Sequence, residues 1–422
     1  MPNIEDAANR LHSKEAKERL TAIYGKGAAS TQIRRLEGLL ENAGGESELR
    51  FYSAPGRTEL GGNHTDHNRG RVLCAAVDLD AAACVSPSGD STVRIRSEGW
   101  EDPIVVDLSD LEPRDEEKGK TEALVRGVAR GLSDRGIEPR GFNAAIQSTV
   151  LPGSGLSSSA AIEVLLGTIM ADLAGRKVEA VEIARIGQFA ENKFFGKPCG
   201  LMDQTASAVG GIVAIDFANP ENPRVERLDF DFERAGYALA VVNTGGSHAD
   251  LTADYAAVPA EMCAVARFLG AEYLRQVAPA ELIARGPEIR SECGDRAFLR
   301  ALHFAGENAR VPEMVAALGD KDIKKYLKLV KKSGDSSWRL LQNLYPPHAP
   351  EEQGLCLGVA LSQDFLGKKG AARVHGGGFA GTIQAYVPTE LFEDWTGLME
   401  RFFGRGSVLP IRVRPLGAAR II

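Results

Sequence analysis

Residues Leu151 to Ala161, LPGSGLSSSAA, hold two glycines one residue apart and then three consecutive serines. They lie between an apolar, strand-like run and Ile162 to Leu173, whose apolar character predicts a buried helix. A strand, a loop of small residues and a helix N-terminus form a ready anion site. Unpaired backbone N–H groups and the positive end of the helix dipole face one point there. Glycine lets a phosphate approach the backbone, and serine hydroxyls can donate to it or ligate its Mg2+. A simple N-capped helix needs only one serine, so the density of small residues favours phosphate.

Other stretches carry chemistry of their own. Gly56 to His67 reads GRTELGGNHTDH. His64 and His67 with Asp66 make only a weak metal signal, because no second ligand pair accompanies them. Short Asn, His and Asp side chains, which donate and accept in fixed directions, suit a carbohydrate better. Arg57 would set a fixed positive charge beside a reacting phosphoryl group. Glu191 to Gln204, ENKFFGKPCGLMDQ, offers Glu191 at a helix end and Asp203 after a glycine turn. Such a pair suits one metal ligand and one general base. Arg373 to Gly381, RVHGGGFAG, satisfies G-x-G-x-x-G through Gly376, Gly378 and Gly381. A dinucleotide fingerprint requires a helix next, whereas TIQAYV predicts a strand, which rejects that reading. The sequence also lacks G-x-x-x-x-G-K-[ST], so an ATP site here is not a P-loop.

Positioning these stretches takes a mixed set of elements. The pattern predicts helix over residues 4–43, stopped by Gly44 and Gly45, a short strand from Arg50 to Ser53, and a polar loop through Ala54 to His67. Strands are expected over Val72 to Pro87, Thr92 to Arg96, Ile104 to Leu108 and Phe142 to Val150, with a helix from Glu122 to Asp134. An amphipathic helix follows over Val178 to Phe195, and a strand over Ile212 to Phe217. Asn219 to Pro223, NPENP, is the clearest linker signal, and a domain boundary is placed there. Beyond it come a strand over Leu239 to Asn243, a mainly helical stretch from Tyr255 to about Lys332, a strand over Thr382 to Val387 and a last strand over Ser407 to Val413. Irregular alternation of strands and helices gives an α+β class with two domains, 1–220 and 221–422.

Composition narrows the function class. At 44% hydrophobic and 25% charged, with net charge −7, the chain suits a globular protein whose main partner is neither nucleic acid nor an anionic membrane. Its apolar runs fall short of a membrane helix, and the first residues lack a signal-peptide core. The six cysteines form no C-x-x-C pair, as expected for reduced thiols in the cytoplasm. A small-molecule enzyme is the default.

The motifs together resemble the GHMP sugar kinases, and within them the galactokinases. The superfamily carries a motif like Pro152 to Ala160 over the nucleotide phosphates and a glycine motif like Gly376 to Gly381. The galactokinase branch adds a signature matched by Gly56-Arg57 and His64-Thr65-Asp66, and a segment matched by Gly200 to Gln204. The resemblance implies a domain like that of ribosomal protein S5 (domain 2-like), a ferredoxin-like C-terminal domain, and a cleft site between them. It implies ATP- and Mg2+-dependent phosphorylation of the anomeric hydroxyl of D-galactose. Asp203 would be the base, with Arg57 orienting it and stabilising the phosphoryl charge. Ser158 and Glu191 would hold Mg2+. The backbone of Gly153, Ser154, Gly155, Leu156, Ser157, Ser158 and Ser159 would cradle the phosphates. His64, Asp66, the Gly200 backbone and Tyr255 would bind sugar hydroxyls. Aromatics such as Trp100 are candidates for the adenine pocket.

One departure concerns the sugar. Family signatures read N-[LI]-[IL]-G-E-H-T-D, whereas this chain has Glu59 where the Asn stands and Asn63 where the sugar-contacting Glu stands. If the segment opens into a helix, Glu59 and Asn63 share a face and the exchange is partly compensated within the sugar-binding set. Loss of a carboxylate at position 63 would otherwise admit a sugar such as galacturonate. Catalytically silent sugar sensors related to yeast galactokinase lack the small residues after the triple serine. Ala160 and Ala161 are present here, and so is Asp203, which favours an enzyme.

Overall fold

The computed structural model describes residues 2–42, 48–99, 102–150, 155–197, 199–246 and 251–422. Gly44, Gly45, Trp100 and the first part of the glycine-serine loop, Leu151, Pro152, Gly153 and Ser154, lie outside them.

The chain opens with α1 (Pro2–Leu11), α2 (Lys14–Tyr24) and α3 (Ala29–Leu40). Their apolar faces, including Leu20, Ile23, Ile33 and Leu36, bury against Phe51, Ala82, Cys84 and Ala145 on one face of the first sheet. That sheet is built from β1 (Arg50–Gly61), β2 (Arg71–Pro87), β3 (Thr92–Ser97), β4 (Ile104–Asp107), and, after α4 (Thr121–Ser133), β5 (Phe142–Ser148). The helices α5 (Ser158–Leu173), α6 (Ala180–Ala190) and α7 (Met202–Val209) follow, then β6 (Ile212–Asp216) and β7 (Arg224–Leu228). Helices α4 to α7 cover the opposite face, where Tyr52, Ala54, Ala83 and Val85 meet Val164, Leu165 and Ile169.

The second half runs β8 (Tyr237–Asn243), α8 (Thr252–Phe268), α9 (Pro279–Ala284), α10 (Gly286–Cys293), α11 (Asp295–Gly319), α12 (Ile323–Ser336) and α13 (Gly354–Leu366). It continues with β9 (Ala371–Val374), β10 (Thr382–Pro388), α14 (Phe392–Phe403) and β11 (Val408–Ile411), and ends in β12 (Ala419–Arg420). The strand order β11-β8-β10-β9, antiparallel throughout, is a ferredoxin-like β-α-β-β-α-β arrangement with extra helices in its first crossover. The first sheet has the order β12-β1-β2-β5-β3-β4, with β6 and β7 continuing from the other half of β2.

Several expectations change. β1 does not end at Ser53 but runs to Gly61, through Pro55 and Gly56. Register shifts between Pro55 and Arg57 and between Glu59 and Gly61 mark bulges that accommodate these strand breakers. The segment after it is a turn with a short 3-10 element at Asp66–Asn68, not a helix spanning 59–63. β3 pairs β4 antiparallel and β5 in parallel. The triple serine does not precede a helix starting at Ile162, because α5 begins at Ser158. Beyond Asn219–Pro223, β7 still pairs with β6 of the first sheet, and β12, not the strand near Ser407, comes last and pairs with β1.

A buried ionic knot ties these parts together. Asp80, fully buried in β2, accepts from Arg35 of α3 at 2.5 Å, Tyr24 of α2 at 2.5 Å, Arg414 at 3.3 Å, and the Ser53 hydroxyl. One carboxylate therefore joins the N-terminal helices, two strands and the C-terminal segment. No helix among the described residues is long and apolar enough to cross a membrane.

Candidate active site

The bulge in β1 presents Arg57 to the glycine-serine loop. Gly56 has no Cβ, and one placed there would stand 2.8 Å from the Leu156 carbonyl. The close approach lets the Arg57 N–H donate to that carbonyl at 2.9 Å. The Arg57 guanidinium then grips Asp203 with two hydrogen bonds, Nε to Oδ1 at 2.6 Å and Nη2 to Oδ2 at 2.7 Å. Its third nitrogen donates to the Gly155 carbonyl. This fork geometry fixes a carboxylate more firmly than a lysine could.

Asp203 lies in the first turn of α7, where the helix dipole favours an anion. Ser157 precedes α5 with a left-handed φ of 61°, and its hydroxyl caps no backbone N–H. It donates instead to Asp203 Oδ2 at 2.6 Å. Burial pushes the Asp203 carboxyl up, but the Arg57 charge and the Arg57 and Ser157 hydrogen bonds outweigh it and hold it below the usual carboxylate value.

A second polar group lies behind the loop. Glu191, at the end of α6, is buried, and its Oε1 accepts from the Ser159 hydroxyl at 3.0 Å and from Lys197 Nζ at 3.2 Å. Its Oε2 turns inward to Gln204 Nε2 at 2.9 Å, which also meets Glu163 at 2.9 Å. The hydroxyl on Glu191 is thus that of Ser159, while Ser158, expected beside it as a metal ligand, is the first residue of α5. Glu163 is fully buried, and its Oε1 has no hydrogen-bond partner among the described residues. Burial, and then the charge on Glu191, push its carboxyl well above the usual range.

The sugar candidates divide into two groups. Gly200 backs directly onto Asp66, since a Cβ on Gly200 would overlap the carboxylate. His64, at a left-handed φ of 56°, brings Nε2 to 2.9 Å from the Gly377 carbonyl, and burial holds its imidazole down to about 4, a neutral ring. Tyr255 donates its hydroxyl to the Gly378 carbonyl at 3.0 Å. These residues converge on the glycine turn that follows β9.

Glu59 and Asn63 are together, as expected, but are buried in the seam between the sheets. The Glu59 carboxylate pairs with Arg373 of β9, and Asn63 Nδ2 donates to its two oxygens at 3.1 and 3.2 Å and to the Gly376 carbonyl at 2.7 Å. Asn63 Oδ1 accepts from Asn343 at 3.0 Å and Ser337 at 3.3 Å. Their polar groups are therefore spent on the protein, not presented to the cleft.

Sequence reasoning passed over three neighbours. Lys197 sits two residues beyond the turn that ends α6, and only the fold brings its ammonium to Glu191. Arg373 was read only as the start of a glycine motif. His375 bridges Thr58 at 3.0 Å and Thr382 at 3.2 Å, linking the strand that carries Arg57 to β10. A cationic or ring residue at the head of the glycine motif was the available signal.

Comparisons with known proteins place the chain in a family. Residues 40–87 match a family model described as the galactokinase galactose-binding signature, and residues 123–211 match the GHMP kinases N terminal domain. A galactokinase from Actinobacillus pleuropneumoniae is 35% identical over 373 residues, covering 85% of this chain and 93% of that protein. The crystal structure of Lactococcus lactis galactokinase complexed with galactose superposes with a TM-score of 0.78 at 23% identity, covering 92% of this chain and 99% of that one. Mevalonate kinase from Methanococcus jannaschii shares the fold less closely, with a TM-score of 0.61 at 17% identity over 87% of this chain and 99% of that one. The fold is that of the GHMP kinases, and the chain belongs to the galactokinase family.

Proposed function

We propose that this protein transfers the γ-phosphoryl group of ATP to the anomeric hydroxyl of D-galactose. The observation that carries this reading is the Arg57–Asp203 pair, held against the glycine-serine loop by the Gly155 carbonyl and the Ser157 hydroxyl. Asp203 accepts the proton of the sugar C1 hydroxyl, and Arg57 fixes its orientation and faces the charge on the transferring group. Backbone N–H groups from Gly153 to Ser159 receive the nucleotide phosphates. His64, Asp66, the Gly200 backbone and Tyr255 hold the sugar hydroxyls, and positioning with charge stabilisation supplies most of the rate, as in phosphoryl transfer generally.

The donor set fits a magnesium ion. Glu191 offers a hard oxygen beside the Ser159 hydroxyl, and the Lys197 ammonium on its Oε1 supports a cation at that position. Bound Mg2+ would neutralise phosphate charge, needing only one or two protein ligands. Glu191 and Ser158 are the proposed ligands, with Ser159 orienting the carboxylate. Ser158→Ala is expected to raise the Mg2+ concentration needed for half-maximal rate. An unchanged requirement would exclude Ser158 as a ligand. A reaction that consumes ATP, and thiols that are all free, suit the cytoplasm.

The Glu59 and Asn63 arrangement bears on the sugar. Because Glu59 is spent on Arg373 and Asn63 on Glu59, they act from behind, by fixing the Gly376–Gly377 turn against which His64 rests. The groups left to face the sugar include Asp66 and a neutral His64, which favour an uncharged hexose over a uronate. In an ADP-release assay across hexoses, uronic acids and amino sugars, kcat/KM for galactose should exceed that for galacturonate by about 10²-fold or more, from charge repulsion alone. A preference for galacturonate would overturn the sugar assignment.

A further inference from the structure

Resting on that reading of the site, we infer that Lys197 is a two-position phosphate-binding residue. It pairs with Glu191 and moves onto the nucleotide phosphates when Glu191 turns its charge to a metal ion. The two oxygens of Glu191 are not equivalent. Oε2 faces Gln204 in the interior, whereas Oε1 faces the start of α5, where it meets the Ser159 hydroxyl and Lys197 Nζ. A cation reaching Glu191 from the phosphate loop therefore meets the oxygen that Lys197 occupies. Two cations on one carboxylate oxygen repel, so the weaker-held one leaves.

Lys197 is built to be the one that leaves. Its side chain is 63% exposed while that of Glu191 is 3% exposed. Its backbone is anchored, the N–H donating to the Glu191 carbonyl at 3.1 Å, so the long stem can swing while the main chain stays still. Arg57 has no such freedom, because three groups hold its guanidinium. In the structure the charges balance in two pairs, Arg57 with Asp203 and Lys197 with Glu191. Once Glu191 is taken, the incoming phosphates are the natural partner for an ammonium with three donors and no acceptor.

The test compares wild type with Lys197→Gln and Lys197→Arg. Mn2+ alone is titrated without nucleotide, following the free ion by electron paramagnetic resonance, and ATP is titrated in EDTA by calorimetry. Lys197→Gln should bind Mn2+ more tightly and metal-free ATP more weakly, each by about twofold to fivefold, the range of one solvent-exposed ion pair. Lys197→Arg should stay near wild type in both. A lysine that merely props up Glu191 would give weaker Mn2+ binding on removal. Mn2+ affinity that is unchanged or weaker in Lys197→Gln, or metal-free ATP affinity that is unchanged, overturns the inference. Absence of sugar phosphorylation by the wild type would instead overturn the function proposed above, and the two failures are read in separate measurements.

Discussion

Asp203→Asn should lower kcat by about 10²–10⁴-fold, the usual contribution of a positioned general base. Affinity for MgATP should be unchanged, because the glycine-serine loop keeps its backbone donors and the substitution preserves shape. Near-normal kcat would refute the base assignment. The environment of Asp203 adds a sharper expectation. A carboxylate held below its ordinary value is a weak base, so it gains the proton only as the oxygen–phosphorus bond forms. Asp203 also stays ionised to lower pH than a free carboxylate, so the acid limb of log kcat should lie below about 4. Removing the guanidinium with Arg57→Met leaves burial opposed only by the Ser157 hydrogen bond and the more distant Lys197 charge, and the carboxyl value rises. The acid limb should then move to higher pH, together with a loss of rate. A rate loss with no movement of the limb would show that Arg57 does not control the ionisation of Asp203.

The second large effect concerns stability. Asp80→Asn should destabilise the fold by about 3–5 kcal/mol, the cost of stranding buried charges when one partner is removed. Arg414 is fully enclosed and Arg35 nearly so, and neither forms an ion pair with another carboxylate among the described residues, although Glu98 acts on Arg35 from farther off. Urea titration followed by circular dichroism reads the shift. The sign of its pH dependence follows from the same contacts. Burial raises the Asp80 carboxyl, but Arg35, Arg414 and the hydroxyl donors overcome it, and the folded value lies below the ordinary one. The contribution is therefore complete above the unfolded value of about 4 and is lost as pH falls through the folded value. Wild type and Asp80→Asn should differ by a constant amount from neutral pH down to that point and converge in stronger acid. A difference that grew in acid would contradict the account.

The two predictions rest on features that were unequally legible in the chain. The glycine-serine loop stands out in a short window, because close backbone access demands small residues and their density is visible locally. The rejection of a Rossmann reading at Gly376 to Gly381 also held, since β10 follows the glycines. The Arg57–Asp203 pair spans 146 residues, and no spacing rule reaches that far; motif resemblance supplied it. β1 was cut short because Pro55 and Gly56 break most strands, and a bulge that tolerates them is a property of the partner strand. Glu59 and Asn63 were rightly expected to touch, but for a helical reason. A strand end followed by Gly62 at φ 88° brings them together, and the pairing of Glu59 with Arg373 depends on a strand more than 300 residues away. Asp80 is one polar residue within the largely apolar run of β2. Its partners come from both ends of the chain, and so are invisible to any local window.

The short pairing of β12 with β1 has a consequence for how the chain is made. Tyr52 and Ser53 wait for Arg420 and Ala419, and Phe51 exchanges backbone hydrogen bonds with Ile421 and Ile422. During synthesis at ~5–20 residues per second, the stretch between these strands takes roughly 20–70 s to emerge. Throughout that interval the strand that carries Arg57 has an open edge, the kind of surface that recruits other chains. A nascent molecule in which β12 has not yet docked should therefore be aggregation-prone even with both glycine motifs already made.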